Sequence, residues 1–330
     1  MKKESILAIF LFVMTSGQVG INTKNPTETL DVNGIERVRE LPKHQTANAI
    51  FTKPDGSYSG NKDQTFVATR RVVADANGVL GYIDGLSGGD PGSSRRNVTI
   101  GYSASLWDGN LYAIGGSGFP DFNSQLQNKL NYGANGIYNK VSGIDFIRFE
   151  GQINNYTATQ LKNIVDVFCI GVSPGVELDT TILTKIKDFS DLGGVVIVLL
   201  DAGRNTQALQ VFGGNGSVAS GTGYSYSISG TTGSNGVFGN IAGNTVIYGA
   251  QTAGRVSNSQ LPPASTILAT EGGSGTSFAG ITTTGTNGRV IFFWDEGVFR
   301  FSGVSGSYID TDQEKYLHNI MAYALDKLNL

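Results

Sequence analysis

The chain has 330 residues, 39% of them hydrophobic, which is more than one average domain and enough for at least one sizeable core. Its net charge of -3, with only 15% charged residues, provides no basic field and excludes the electrostatic footprint of a nucleic-acid binder. Glycine stands out at 46 residues, but Tyr, Phe and Val recur throughout, so the composition reads as turn-rich β structure rather than disorder.

The first 17 residues read as a signal peptide: Lys2 and Lys3 precede the apolar run Ile6 to Met14, and Thr15-Ser16-Gly17 supply small residues before Gln18. Nine apolar residues are too few to cross ~30 Å of hydrocarbon as a helix, and the mature chain offers no other transmembrane candidate. Export follows as the expectation, to the cell surface or the medium. The single cysteine, Cys169, cannot form an intramolecular disulfide, and its apolar surroundings predict an inert core thiol.

Residues 18–85 read as a small β-rich module. Turn-formers at Asn25-Pro26 and Asn33-Gly34 predict short strands joined by tight turns, and Asp55-Gly56 and Asn77-Gly78 predict two hairpins. The run Val19-Gly20-Ile21-Asn22-Thr23, Asn25-Pro26, Leu30-Asp31-Val32-Asn33-Gly34 resembles an element found near the mature start of exported Bacteroidetes surface proteins and of tail-fibre-like proteins. That resemblance implies surface display and homo-oligomeric, trimeric assembly through this module, although Asn22 replaces the usual glycine and the element stands as a single copy. Residues 86–96, Gly/Ser/Pro-rich and polar, read as a linker.

From residue 97 onward the apolar period alternates between two and 3.6. NVTIGYSA and IDFIRFE read as strands, with Phe122, Leu126 and Leu130 at helical spacing between them. Thr157 to Gln160 has capping-box form, opening a helix before the buried strand VDVFCIGV. Leu178, Ile182, Leu183, Ile186, Phe189 and Leu192 mark one face of the next helix, which Gly193-Gly194 ends before the buried strand VVIVLL. Asn205 to Phe212 predicts one more short helix. Residues 213–288 lose the helical period and read as short antiparallel strands decorating one sheet edge, or as a mobile flap. RVIFFW is a last buried strand, and Thr311 to Glu314 caps a helix that seals the sheet. The fold expected for 97–330 is α/β, a mostly parallel flavodoxin-like sheet flanked by helices.

The motifs VDVFCIGVSPG, LTKIKDFSDLGGVVIVLL and GRVIFFWDEGVF, in that order, resemble class I glutamine amidotransferase-like folds, particularly their non-catalytic exported relatives. In active amidotransferases a cysteine stands on a sharp turn after the strand that follows the Gly-Gly helix end, and a histidine and a glutamate follow the last strand. Here those places read Asp201-Ala202-Gly203-Arg204 and Trp294-Asp295-Glu296-Gly297, and the two histidines are His44 and His318. The thiolate this reaction requires is missing, so the resemblance implies a catalytically silent domain.

In a parallel sheet, ligands gather at the carboxyl ends of the strands, where this sequence puts Ser173, Asp201, Arg204, Asp295, Glu296 and Glu150 as candidate binding residues. Two readings compete for these residues, beside a third, a trimeric fibre or adhesin component, that rests on the N-terminal element alone. One is a surface protein binding a glycan or a protein, with Trp107, Tyr112 and Tyr138 as candidate sugar-stacking rings. The other is a hydrolase of carbohydrate using Asp201 with Asp295 or Glu296, which requires those carboxyls to converge at separations of roughly 5 to 9.5 Å. No EF-hand spacing and no phosphate loop occur, so neither a metal nor another cofactor is expected.

Overall fold

The computed structural model describes residues 95–330 apart from 150, 174, 176, 222–224, 242–245, 251, 272–280, 284–286, 302 and 329, and before them residues 19–22, 30–32, 41–42, 46–53, 56–66, 70–74 and 79–84. Residues 1–17 and nearly all of 86–96, expected to be a signal peptide and a linker, therefore lie outside the described residues, as does Glu150. The chain divides into two units, Met1–Leu86 and Ser87–Leu330.

In the first unit, Arg70–Ala74 and Leu80–Asp84 form an antiparallel pair flanking the turn expected at Asn77-Gly78. Around Asp55-Gly56, Thr52 bridges Tyr58 and the Lys53 amide bonds the Ser57 carbonyl. Val19–Ile21 and Leu30–Val32 pair parallel, so they are not the two arms of one hairpin, while the turns expected at Asn25-Pro26 and Asn33-Gly34 lie outside the described residues. A two-residue hairpin can close only an antiparallel pair.

The second unit is built on seven strands: β1 (Val98–Ser103), β2 (Ile144–Arg148), β3 (Val167–Ile170), β4 (Val195–Leu199), β5 (Ser265–Ile267), β6 (Ile281–Thr283) and β7 (Val290–Phe293). Their order in the sheet is β2-β1-β3-β4-β7-β6-β5. Pairings from β2 to β7 are parallel, and β6 and β5 extend the edge antiparallel. Counted alone, the five parallel strands run 2-1-3-4-5, the flavodoxin-like order.

β3, β4 and β7 are buried on both faces, which is why their sequences are continuous apolar runs with no alternation. Alternate residues feed two cores. Ile100, Cys169, Ile197 and Ile291 meet α1 (Pro120–Gln127) and α5 (Asp312–Asp326), while Phe168, Val196, Val198 and Phe292 meet α2 (Ala158–Ile164), α3 (Thr180–Asp191) and α4 (Thr206–Val211). Each such side chain contributes roughly 1.5–3 kcal/mol through burial. Both expected capping boxes form, at Thr157 and Thr311. Gly193 takes φ 97°, the left-handed turn that ends α3, and a side chain on Gly194 would collide with the Phe189 ring.

Two expected core positions lie outside their helices. Leu130 falls beyond α1, which stops when Asn128 turns extended, and Leu192 caps α3; both are exposed. The helical spacing of apolar residues overruns the point where the backbone stops.

The glycine-rich segment 213–288 is also not mere edge decoration. Among its described residues only β5 and β6 join the sheet; Ser225–Ile228, Val246–Tyr248 and Ala269–Glu271 form a separate three-stranded antiparallel sheet. Part of the segment packs over the strand ends. The Gly254 amide bonds the Trp294 carbonyl at 2.5 Å, and added side chains at Gly254 and Gly249 would strike the Leu200 carbonyl and the Asp295 carboxyl. Glycine is needed there because backbone meets the site directly.

Candidate functional site

Three sharp turns bring the strand ends together. After β1, the short hairpin Leu106–Trp107 with Asn110–Leu111 turns at Asp108 (φ 49°) and Gly109 (φ 80°). After β4, Ala202 takes φ 53°, ψ 29° and Gly203 φ 71°, so the chain reverses at once. Asn205 (φ 62°) locks that reversal, its side-chain amide donating to the Gly171 and Leu199 carbonyls at 3.1 and 2.6 Å. After β7, Asp295 caps a 3-10 turn, Glu296–Phe299, by accepting from the Gly297 amide at 2.7 Å. Non-glycine residues held left-handed are costly and gather at functional sites.

Between these turns lies a cavity of about 400 Å³. The β1 turn contributes Trp107, Asp108 and Tyr112; the β4 end contributes Asp201; the β7 end contributes Glu296, Arg300 and Phe301; the glycine-rich segment contributes Ala250 and Thr252. The last two come from a part of the sequence that carries no site signal. Trp107 and Tyr112 were legible as candidate rings, whereas Tyr138 is buried elsewhere, donating to Asp326 at 2.8 Å.

The strand-end carboxylates share a region yet differ in commitment. Asp295 is fully buried: Oδ2 accepts from the Tyr226 hydroxyl at 2.8 Å, and Oδ1 accepts from the Ala250 and Gly297 amides at 3.2 and 2.7 Å. Glu296 is clamped by Arg300, whose Nε and Nη2 each donate at 2.7 Å. Asp201 is 2% exposed, accepts a long bond from the Thr252 hydroxyl at 3.3 Å, and leaves Oδ1 with no partner. Burial first, then the charges of Asp295 and Glu296, push the Asp201 carboxyl up to about 8, against the Thr252 hydroxyl and the Ala202 amide. Burial likewise raises Asp295 to about 7, against its three hydrogen-bond donors.

Of the other candidates, Ser173 Oγ accepts from the Ser105 amide at 3.0 Å and ties the β3 and β1 ends together. The Arg204 guanidinium lies 6.0 Å from the Trp107 ring centre, and its Nε is buried without a partner. The cysteine and the described histidine are remote from this chemistry. Cys169 is fully buried within β3, accepts from the Ile114 amide, and is pushed up to about 12 by burial. His318 is buried in α5 between the Tyr132 hydroxyl and Gln125, and burial lowers it to about 3, so it is neutral. Among the described residues, no group of three or more His, Cys, Asp or Glu is placed to hold a metal ion, and no helix is long and apolar enough to cross a membrane.

Neither a family model nor a curated protein matches the chain. Among solved structures, the N-terminal domain of mmIFT52 is similar at 12% identity and a TM-score of 0.46, covering 69% of this chain and 97% of that one. A ThuA-like protein from Bacteroides uniformis ATCC 8492 is similar at 13% identity and a TM-score of 0.45, covering 74% of this chain and 97% of that one.

Proposed function

We propose that this is an exported surface protein whose second unit is a catalytically silent, amidotransferase-like domain that binds a ligand in the cavity at its strand ends. The observation that carries the reading is the turn after β4. It has the abrupt left-handed geometry that would present a nucleophile, yet the residue at its apex, Ala202, ends in a methyl group. The chain's one thiol, Cys169, and its described imidazole, His318, are walled into the core. A hydrolase needs two carboxyl groups free to act, and here Asp295 spends its oxygens on three donors while Glu296 is held by Arg300. Only Asp201 keeps an uncommitted oxygen, which suits holding a ligand better than cleaving one. Export rests on Lys2, Lys3 and the apolar run Ile6 to Met14.

The full chain is incubated with L-glutamine, followed by ammonia release, and with aryl glycosides, followed by phenol release. Both assays should stay at background. Turnover in either one that disappears in D201A would overturn the silent reading, and retention of the chain in the cytoplasmic fraction would overturn export.

A further inference from the structure

The cavity combines two ring surfaces, a flat charged pair and one buried oxygen without a partner. Trp107 and Tyr112 line it, and each ring is backed by a guanidinium: Arg204 at 6.0 Å and Arg300 at 5.1 Å from the ring centres. The Arg300–Glu296 pair is bidentate, so its atoms lie in one plane with donors and acceptors side by side. Asp201 Oδ1 supplies the unpartnered buried atom beside them.

Charge narrows the ligand class. Glu296 is already neutralised by Arg300, so a strong anion gains little from the arginine and a strong cation little from Glu296. The upward shift of Asp201 adds that the site resists a further negative charge. What fits is a neutral molecule with an apolar C–H face for the rings and a rim of hydroxyls, each of which both donates and accepts. At about 400 Å³ the space lies at the small end of ligand pockets, roughly 300–1,000 Å³. Building on the binding reading above, we infer that the cavity takes a neutral mono- or disaccharide, stacked on Trp107 and hydrogen-bonded to the Asp201 carboxyl and the Arg300–Glu296 pair.

The two tryptophans make the test direct, since Trp107 lines the cavity and Trp294 is buried. The full chain is titrated with glucose, N-acetylglucosamine, cellobiose and maltose, and separately with L-arginine and inorganic phosphate, by tryptophan fluorescence and calorimetry. At least one saccharide should change the emission, and W107F should abolish the change. W107A should weaken calorimetric affinity about tenfold, some 1.4 kcal/mol. D201N, which keeps a hydrogen-bonding atom in place, should stay within about threefold, whereas D201A should lose more. Because the fluorescence change is read in the unaltered chain, misfolding of a variant cannot mask it. Binding of arginine or phosphate alone, lost in W107A, overturns the saccharide class and leaves the binding cavity standing. Saccharide binding indifferent to both W107A and D201A overturns the inference, and silence from every probe overturns the binding reading as well.

Discussion

Asp201 and Asp295 close neighbouring strands of one sheet, β4 and β7, and both are almost wholly buried, yet their surroundings set them to different tasks. Asp295 receives three hydrogen bonds and staples the glycine-rich segment to the sheet through Tyr226 and Ala250. Asp201 accepts a long bond from the Thr252 hydroxyl and faces a cavity. A buried carboxyl whose lone pairs are used is scaffold; one left with a free oxygen is a place for something to bind. Neither burial nor residue type separates the two. The count of donors does.

The comparison breaks most sharply under truncation. D295A leaves the Tyr226 hydroxyl and two amides without their acceptor inside the fold, and should cost about 3–5 kcal/mol in urea unfolding. D201A removes one long bond and should cost far less. Equal losses would mean that Asp201 is scaffold too.

The next effect is in pH. The fold favours the protonated form of Asp201, whose ordinary value is 3.8 and whose folded value is about 8. That contribution is complete below the ordinary value and is lost as pH rises to about 8, with Asp295 acting in the same sense up to about 7. Above roughly pH 6.5 the buried neutral His318 no longer adds an opposing slope. Unfolding stability should therefore fall from roughly pH 4 to 8, more steeply once His318 stops opposing it, and D201N should flatten the decline, its advantage over the unaltered chain growing across that window. Parallel profiles for the two proteins would show that Asp201 ionises normally.

The parallel sheet was legible because burial on both faces leaves continuous apolar runs, and the caps at Thr157 and Thr311 were legible because capping is local. Helix ends were less so: Leu130 and Leu192 keep the helical spacing after the backbone has left the helix. The parallel pairing of Val19–Ile21 with Leu30–Val32 escaped because period-two patterns carry no strand direction. At the site, Asp201, Asp295 and Glu296 could be named from their places after strands, and Trp107 only as a candidate stacking ring. Thr252 and Ala250 could not, since glycine-rich sequence does not announce where its backbone will touch a distant carboxyl. What glycine made possible, close approach at Gly249 and Gly254, is a tertiary fact.

The smallest effect asks whether Glu296 belongs with Asp295 or with Asp201. Its carboxylate is buried, but its partner Arg300 has a side chain 38% exposed, so the pair is screened on one side and open to the cavity. R300K keeps the charge and loses the planar two-bond fork. After discounting for solvent on the arginine, the loss should be about 0.5–1 kcal/mol, and it should shrink further when unfolding is repeated in high salt. A loss as large as that of D295A would place Glu296 with the scaffold. The small, salt-sensitive loss expected here would leave the Arg300–Glu296 pair as a polar wall of the cavity, rigid enough to hold its planar geometry and exposed enough to exchange water for a ligand.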